Sequence, residues 1–406
     1  MNKLPTSNFE MFKKQIQNPN KPFDNCYQDN IHEKIKILKN IVLSYPSDSS
    51  GCGNIRNIFP MTYLNAEFGK TKKLSMLLSP VMIYQQDILQ RTRSIFFQRS
   101  MSPRQIPPIK KYMDLKDRYR YKMIHDIDDF IWLGNDEGES LPNYNFASEK
   151  ITDDMRTASV EIMKMMDICC VSTDFLKNYI HHLGVDKNKI RVVPNCVPRY
   201  FWNRPEKEPI MDRIKKPSFI YTGSPTHYNN PKKLAGDLDN AWTEWIIKSV
   251  NSNKIDFYCM GGLPFVFESI KDKINIIPWI NSYQYHLAVL DISADFSIGP
   301  LVPNYFNYSK SDIKYKEACA SGSAFIGSIF PNTGNTPYGF KKTSPYDICE
   351  LKLPYDCSVN DIDVLIDEYC EPNNYNKVIK AQYDYMYTGG WYLESPKYIK
   401  MLTEIF

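Results

Sequence analysis

The chain has 406 residues, 43% hydrophobic and 24% charged, with a net charge of +4. That length exceeds the size at which a single core usually stops growing, so two domains are expected, and the composition is that of a soluble globular protein. The longest apolar runs are strand-sized, far short of the ~20 residues that a membrane-spanning helix needs. The N-terminal MNKLPTSNFEMFKKQ lacks the apolar centre of a signal peptide, so a cytoplasmic protein without integral membrane association is expected. Ten scattered cysteines, with no CxxC or Cys/His cluster, read as reduced core thiols and offer no zinc site.

Taken in chain order, β-rich runs fall at Ile41–Tyr45, Leu77–Tyr84, Ser94–Gln98, Lys122–His125, Asp167–Val171 and Ile190–Val193, most followed by a loop and a helix-like stretch. A second series follows at Ser218–Thr222, Lys254–Met260, Ile274–Trp279, Ala294–Gly299 and Ala324–Ile326. Short continuous apolar runs are what strands buried on both faces look like, and their alternation with amphipathic segments predicts α/β halves with parallel sheets. Pro198–Lys216, with several prolines and charges, reads as the linker. The expected domains are 1–214 and 215–380, with a C-terminal helix over 381–406 whose aromatics, around Trp391, could anchor it back on the first domain.

Ligands of such sheets bind beyond the carboxyl ends of the strands. After the first strand comes Ser47-Asp48-Ser49-Ser50-Gly51-Cys52-Gly53, read as a flexible polar turn whose glycines Gly51 and Gly53 let backbone N–H groups approach an anion or sugar. After Lys122–His125 comes Asp126-Ile127-Asp128-Asp129, and after Ser218–Thr222 comes Gly223-Ser224-Pro225-Thr226-His227. Gly261-Gly262 and Gly299-Pro300 follow two more.

The stretch Phe296–Ser328 reads as strand, polar turn, charged helix, glycine stop and strand. With a helix starting near Ser311, Lys310, Lys314 and Glu317 share one face. Two lysines four apart repel unless something negative lies between them, and a helix N-terminus attracts anions through its unpaired N–H groups. A phosphate fits there. Glu317, one turn further in, could accept hydrogen bonds from paired sugar hydroxyls, whereas the plainer reading is a solvated helix with a Lys314–Glu317 ion pair.

These residues together resemble a family. Arg191-Val192-Val193-Pro194-Asn195-Cys196-Val197, the Gly223-Ser224 strand end and Lys314…Glu317…Gly322 look like a GT-B glycosyltransferase, closest to the retaining family four and the related glycosyl transferase group one. The resemblance spans roughly residues 37–330. It implies two Rossmann-like domains facing a cleft and a nucleotide-sugar donor, with a UDP-sugar favoured. The family's helix carries two glutamates eight positions apart; here the second is Glu317 and the first falls on Ser309. A subgroup with the pattern F-N-x-x-K-S-D-x-K-Y-x-E fits Phe306-Asn307 through Glu317 better. The resemblance implies that Glu317 binds the nucleotide ribose, that Lys310, Ser311 and Lys314 face the diphosphate, and that Gly223, Ser224, Asn307 and Ser309 line the same pocket. His125-Asp126 matches the family's "H-D" strand end, which gives His125 and Asp126 a catalytic-site role. Asp126-Ile127-Asp128 also spells the DxD that metal-dependent GT-A enzymes use, but the two-half pattern argues against that class, and no metal is expected.

Residues 91–122 hold ten basic groups, among them Arg99, Arg104, Lys110, Lys111, Arg118 and Arg120, against two acidic ones. Phe96, Phe97, Tyr112, Tyr119 and Tyr121 are interleaved, a combination suited to phosphates and stacked bases. With a composition resembling AT-rich bacteriophage coding, this favours duplex DNA bearing hydroxymethylcytosine as acceptor, by analogy with phage glycosyltransferases. A surface glycan or lipid-linked saccharide competes. A nucleotide-sugar 2-epimerase and a non-catalytic nucleic-acid-binding protein are the alternatives of other classes.

Overall fold

The computed structural model describes residues 38–48, 51–68, 73–132, 151–202, 206–224, 227–228, 236–238, 240–330, 334–336 and 339–406. Cys26, Pro225 and Thr226 lie outside them. Six strands, β1 (Ile41–Tyr45), β2 (Ser75–Leu78), β3 (Thr92–Gln98), β4 (Lys122–Ile127), β5 (Ile168–Val171) and β6 (Ile190–Val192), form an all-parallel sheet in the order 2-1-3-4-5-6. A second parallel sheet contains β7 (Ser218–Thr222), β8 (Asp256–Met260), β9 (Asn275–Ile277), β10 (Phe296–Gly299), β11 (Ala324–Ile329) and β12 (Leu351–Pro354), in the order 12-11-10-7-8-9.

The longer α-helices are α1 (Phe59–Phe68), α2 (Ile106–Tyr119), α3 (Asp153–Met165), α4 (Asp174–His182), α5 (Ala241–Asn251), α6 (Ser282–Ile292), α7 (Ile313–Ser321), α8 (Val359–Tyr369), α9 (Pro372–Gly389) and α10 (Pro396–Ile405). Both faces of the second sheet are covered, because alternate residues enter different cores. Phe219 and Tyr221 join one core with Phe296, Ile298 and Ile326, while Ile220 and Phe325 turn to the other. That other core continues without a break into the first sheet and the C-terminal segment. Of the nine described cysteines, eight are buried and all are free thiols. Among the described residues, no helix is long and apolar enough to cross a membrane.

Three differences from the sequence reading bear on the site. Gly51–Gly53 is a helical turn that runs through a π-turn, Asn54–Ile58, into α1, so this is an ordered helix start rather than a flexible loop. β4 extends two residues beyond His125 because Asp126 and Ile127 still pair with β5. The helix expected from Ser311 begins at Ile313 and ends on Gly322, whose φ of +73° supplies the left-handed stop.

Candidate active site

In parallel α/β sheets a crevice opens where the strand order reverses, beyond the strands' carboxyl ends. Here the reversals fall between β1 and β3 in one sheet and between β7 and β10 in the other. At the β7 end Gly223 and Gly261 meet: a Cβ on Gly261 would lie 2.1 Å from the Gly223 carbonyl oxygen. At the β1 end Gly53 packs on Asp48, where a Cβ would meet the carbonyl oxygen at 1.9 Å, whereas Gly51 faces open space. Ser224 follows Gly223, half-buried beside the same crevice.

The α7 N-terminus points its first-turn N–H groups at the β7/β10 reversal without a side-chain cap. Asp312 stands at the cap position, but its carboxylate is turned away to Lys316 (2.8 Å) and Tyr385 (2.9 Å). Lys314, in the first turn, donates to the Thr222 carbonyl at the end of β7. Lys310 lies over the Phe306 ring, 4.1 Å from its centroid. Burial and the neighbouring Lys310 lower the Lys314 ammonium to about 8. Glu317 does not pair with a lysine; its Oε2 accepts from Tyr285 at 2.9 Å, and burial raises it to about 7. Lys314, Glu317, Thr222, Tyr285 and Ile220 line one small recess.

Asn307 and Ser309 take supporting places. Asn307 is fully buried and donates to Asp237 (2.7 Å) and to the Val302 carbonyl (2.8 Å). Ser309, also buried, donates back to the Phe306 carbonyl, while its own carbonyl accepts from Thr173 of the first domain. The Ser309 hydroxyl is thus engaged within its own turn, whereas Asn307 Oδ1 is buried without a partner.

On the facing side, His125 is sealed inside the first sheet. Its Nε2 donates to the Ser100 carbonyl at 3.1 Å, its Nδ1 has no partner, and burial lowers it to about 4. Asp126 is buried as well and holds Arg56 through both carboxylate oxygens. Both side chains are thus buried, 0% and 1% exposed, where an open strand end was expected. The groups at the β4 mouth are Asp128 and Asp129, and both face Arg99, which is paired with Asp129 and lies 4.0 Å from Asp128. Arg99 follows β3 in a left-handed conformation, φ 47°. Asp128 and Asp129 also come within 4.8 Å of the Cys52 thiol, a set that could hold a cation, and the Arg99 guanidinium offsets one of its two carboxylate charges. Lys310, Arg99, Cys52 and Asp128 are within electrostatic reach of one another, so the two crevices face across one cleft.

The remaining basic residues lie elsewhere. Lys110 pairs with Glu161 (3.1 Å), Lys111 covers Tyr84, Arg118 covers Tyr119, Arg104 is exposed after the Ser102 cap, and Arg120 ends α2 with φ 60°. The interleaved Phe96, Phe97, Tyr112 and Tyr121 are buried, so they form core rather than a stacking surface.

Sequence reasoning named His227 only within the β7 strand end and missed Asp237. The fully buried Asp237 accepts from His227 Nδ1 (2.6 Å), Asn307 and the Val302 N–H, tying three loops together beside Lys310 and Lys314. The signal available was the polar stretch that follows β7, Gly223 to His227.

Two facing parallel sheets of this order, with a helix N-terminus at the second reversal, define the GT-B fold. A glycosyltransferase from Rickettsia africae has the same fold over 91% of this chain and 98% of its own, at 13% identity and a TM-score of 0.56. The Anabaena protein Alr3699/HepE in complex with UDP-glucose is similar over 90% and 99%, at 7% identity and a TM-score of 0.53. A sucrose-phosphate synthase from Thermosynechococcus elongatus covers 91% of this chain and all of its own, at 12% identity and a TM-score of 0.50. No family profile and no curated protein matches the chain.

Proposed function

We propose that the chain is a glycosyltransferase that moves a sugar from a UDP-sugar to a hydroxyl acceptor. The observation that carries this reading is the uncapped α7 N-terminus flanked by Lys310 and Lys314, with Asp312 turned away from it. Unpaired N–H groups and two cations at a strand-order reversal suit a diphosphate. As the bond between the sugar and the diphosphate breaks, negative charge grows on the leaving oxygen, and fixed N–H dipoles and ammonium groups stabilise it. Glu317, one turn deeper, is the ribose acceptor once ionised. The complex of the Anabaena neighbour with UDP-glucose supports the choice of nucleotide. No divalent cation enters this reading, and transfer is expected to persist in EDTA; loss of transfer in EDTA with rescue by Mn²⁺ would instead place a cation at Cys52, Asp128 and Asp129.

The acceptor reading divides on the basic segment. A hydroxymethylcytosine duplex rests on the exposed Arg104, Lys110, Lys111, Arg118 and Arg120 and the half-buried Tyr119, since Phe96, Phe97, Tyr112 and Tyr121 are core. Calorimetric titration with UDP and UDP-glucose tests the donor site. Wild type is expected to bind both, and Lys314→Ala and Glu317→Ala each to weaken binding about tenfold; absence of binding by wild type overturns the reading. Sugar transfer to hydroxymethylated duplex, falling steeply with salt and lost on reversing Arg104, Lys111 and Arg118, is the outcome for DNA. Transfer to a saccharide but not to duplex assigns the competing acceptor.

A further inference from the structure

A buried chain of hydrogen bonds runs from the first sheet to the doorstep of α7, and its polarity can be assigned atom by atom. Asp126 on β4 accepts from Nε and NH2 of Arg56, which locks the guanidinium. NH1 of the same group donates to the Val193 carbonyl and to Asn195 Oδ1 at 3.0 Å. A guanidinium only donates, so the atom of Asn195 facing Arg56 must be its carbonyl oxygen. The opposite atom is then the amide nitrogen, and Nδ2 donates to Ser311 Oγ at 2.8 Å. One lone pair of the Ser311 hydroxyl is therefore occupied, and its proton must point elsewhere. Asn195 itself is rigidly held, being 5% exposed and with its backbone carbonyl accepting from Lys316 of α7 at 2.7 Å.

We propose that Asn195 is a positioning residue that sets the Ser311 hydroxyl as a hydrogen-bond donor toward the donor diphosphate. This inference rests on the diphosphate reading of the α7 N-terminus. An anion accepts hydrogen bonds and never donates them, so a hydroxyl beside it helps only when its proton faces the anion. Without Asn195 the hydroxyl rotates freely. With an acceptor in place of the amide it turns its proton away and presents lone pairs to the phosphate. Asp126 and Arg56 act through the same chain, which gives these buried charges a purpose at the site although neither touches it.

Asn195→Asp is the discriminating variant. A carboxylate still accepts from Arg56 and gains an ion pair, so the melting temperature is expected to hold or rise. It also accepts from Ser311, which reverses the hydroxyl, so the Kd for UDP is expected to rise about tenfold. Ser311→Ala is expected to weaken UDP binding to a similar degree with little change in melting. In the double variant the substitution at 195 should add nothing further, because its effect passes through Ser311. A further loss of affinity in the Ser311→Ala background would mean direct charge repulsion and would overturn the proposal. So would an unchanged Kd for Ser311→Ala, which remains readable even where Asn195→Asp folds poorly. Failure of wild type to bind UDP instead removes the donor-site reading itself.

Discussion

Glu317 and Lys314 lie one turn apart with both side chains displaced toward neutrality, the carboxyl to about 7 and the ammonium to about 8. Burial is the first cause of each. If the carboxylate receives the ribose hydroxyls and the ammonium faces the diphosphate, both must be ionised for tight binding. UDP affinity should then fall as pH drops through 7, where Glu317 gains a proton, and fall again above 8, where Lys314 loses one. Titrations between about pH 5.5 and 9.5 should show a maximum between the two values, with limbs approaching tenfold per pH unit. Glu317→Gln should flatten the acid limb and Lys314→Met the alkaline one; a flat wild-type profile removes both groups from the site. His125 makes a separate statement about stability. Its folded value near 4 lies below the ordinary 6.5, so the unfolded chain takes up that proton first as pH falls. Stability present above 6.5 is lost through this window by about 1.4 kcal/mol per pH unit. His125→Gln can keep the donor to Ser100 and removes the titration. Its urea-derived stability should fall less steeply between pH 6 and 4.5, by that amount per unit, than wild type.

At the scale of elements, what was legible depended on whether the deciding interaction was local. Strands β7, β8 and β10 were legible because each is a largely buried run that meets a glycine at its end, Gly223, Gly261 and Gly299. The α7 pattern was legible because its cations, its carboxylate and its Gly322 stop lie within thirteen residues of one another. The end of β4 was not. His125 and Asp126 look like a polar strand mouth, yet Asp126 stays buried because Arg56, seventy residues earlier, satisfies it. Of the expected polar end Asp126–Asp129, the first two residues therefore stay in the strand, and the mouth opens at Asp128 and Asp129. β12 was missed for a related reason: Leu351–Pro354 is a short edge strand that alternates buried and exposed residues and has meaning only beside β11. The β7 and β8 ends carry the clearest backbone constraint. Gly261 has φ +105° and no space for a Cβ against Gly223. Gly261→Ala should cost about 2–3 kcal/mol from strain and clash together, and it should weaken UDP binding by parting the two loops. Denaturant titration beside calorimetry reads both; an unaltered midpoint would mean that the loops separate freely.

Across the whole molecule, the C-terminal segment ties the two sheets to one another. After α9 ends at Gly390, with φ +67°, the chain crosses to the first domain. Tyr392 bridges Val197, Leu393 N–H donates to the Val197 carbonyl, and Glu394 accepts from the backbone of Arg199 and Tyr200. α10 then lies against the first sheet, where the Phe406 ring meets Phe96 edge-on at 5.7 Å and its carbonyl accepts from Arg93 at 2.8 Å. Lys316 of α7 sits 4.1 Å from the Trp391 ring centroid, so the same segment also touches the helix that carries the donor site. Because the larger core runs unbroken through first sheet, α7 and α10, the full chain should melt in one cooperative transition. Ending the chain at Gly390 removes the tie while leaving every strand in place. The truncated protein is expected to show two calorimetric transitions, the earlier one from the first sheet, whose buried Phe96 face is then open to water. UDP should raise the later transition alone, since the α7 anion site and Glu317 belong to the second half, and a ligand stabilises only the unit that binds it. A single transition at the wild-type temperature would show that the contacts of Asn195 with Ser311 and Lys316 suffice to hold the halves together.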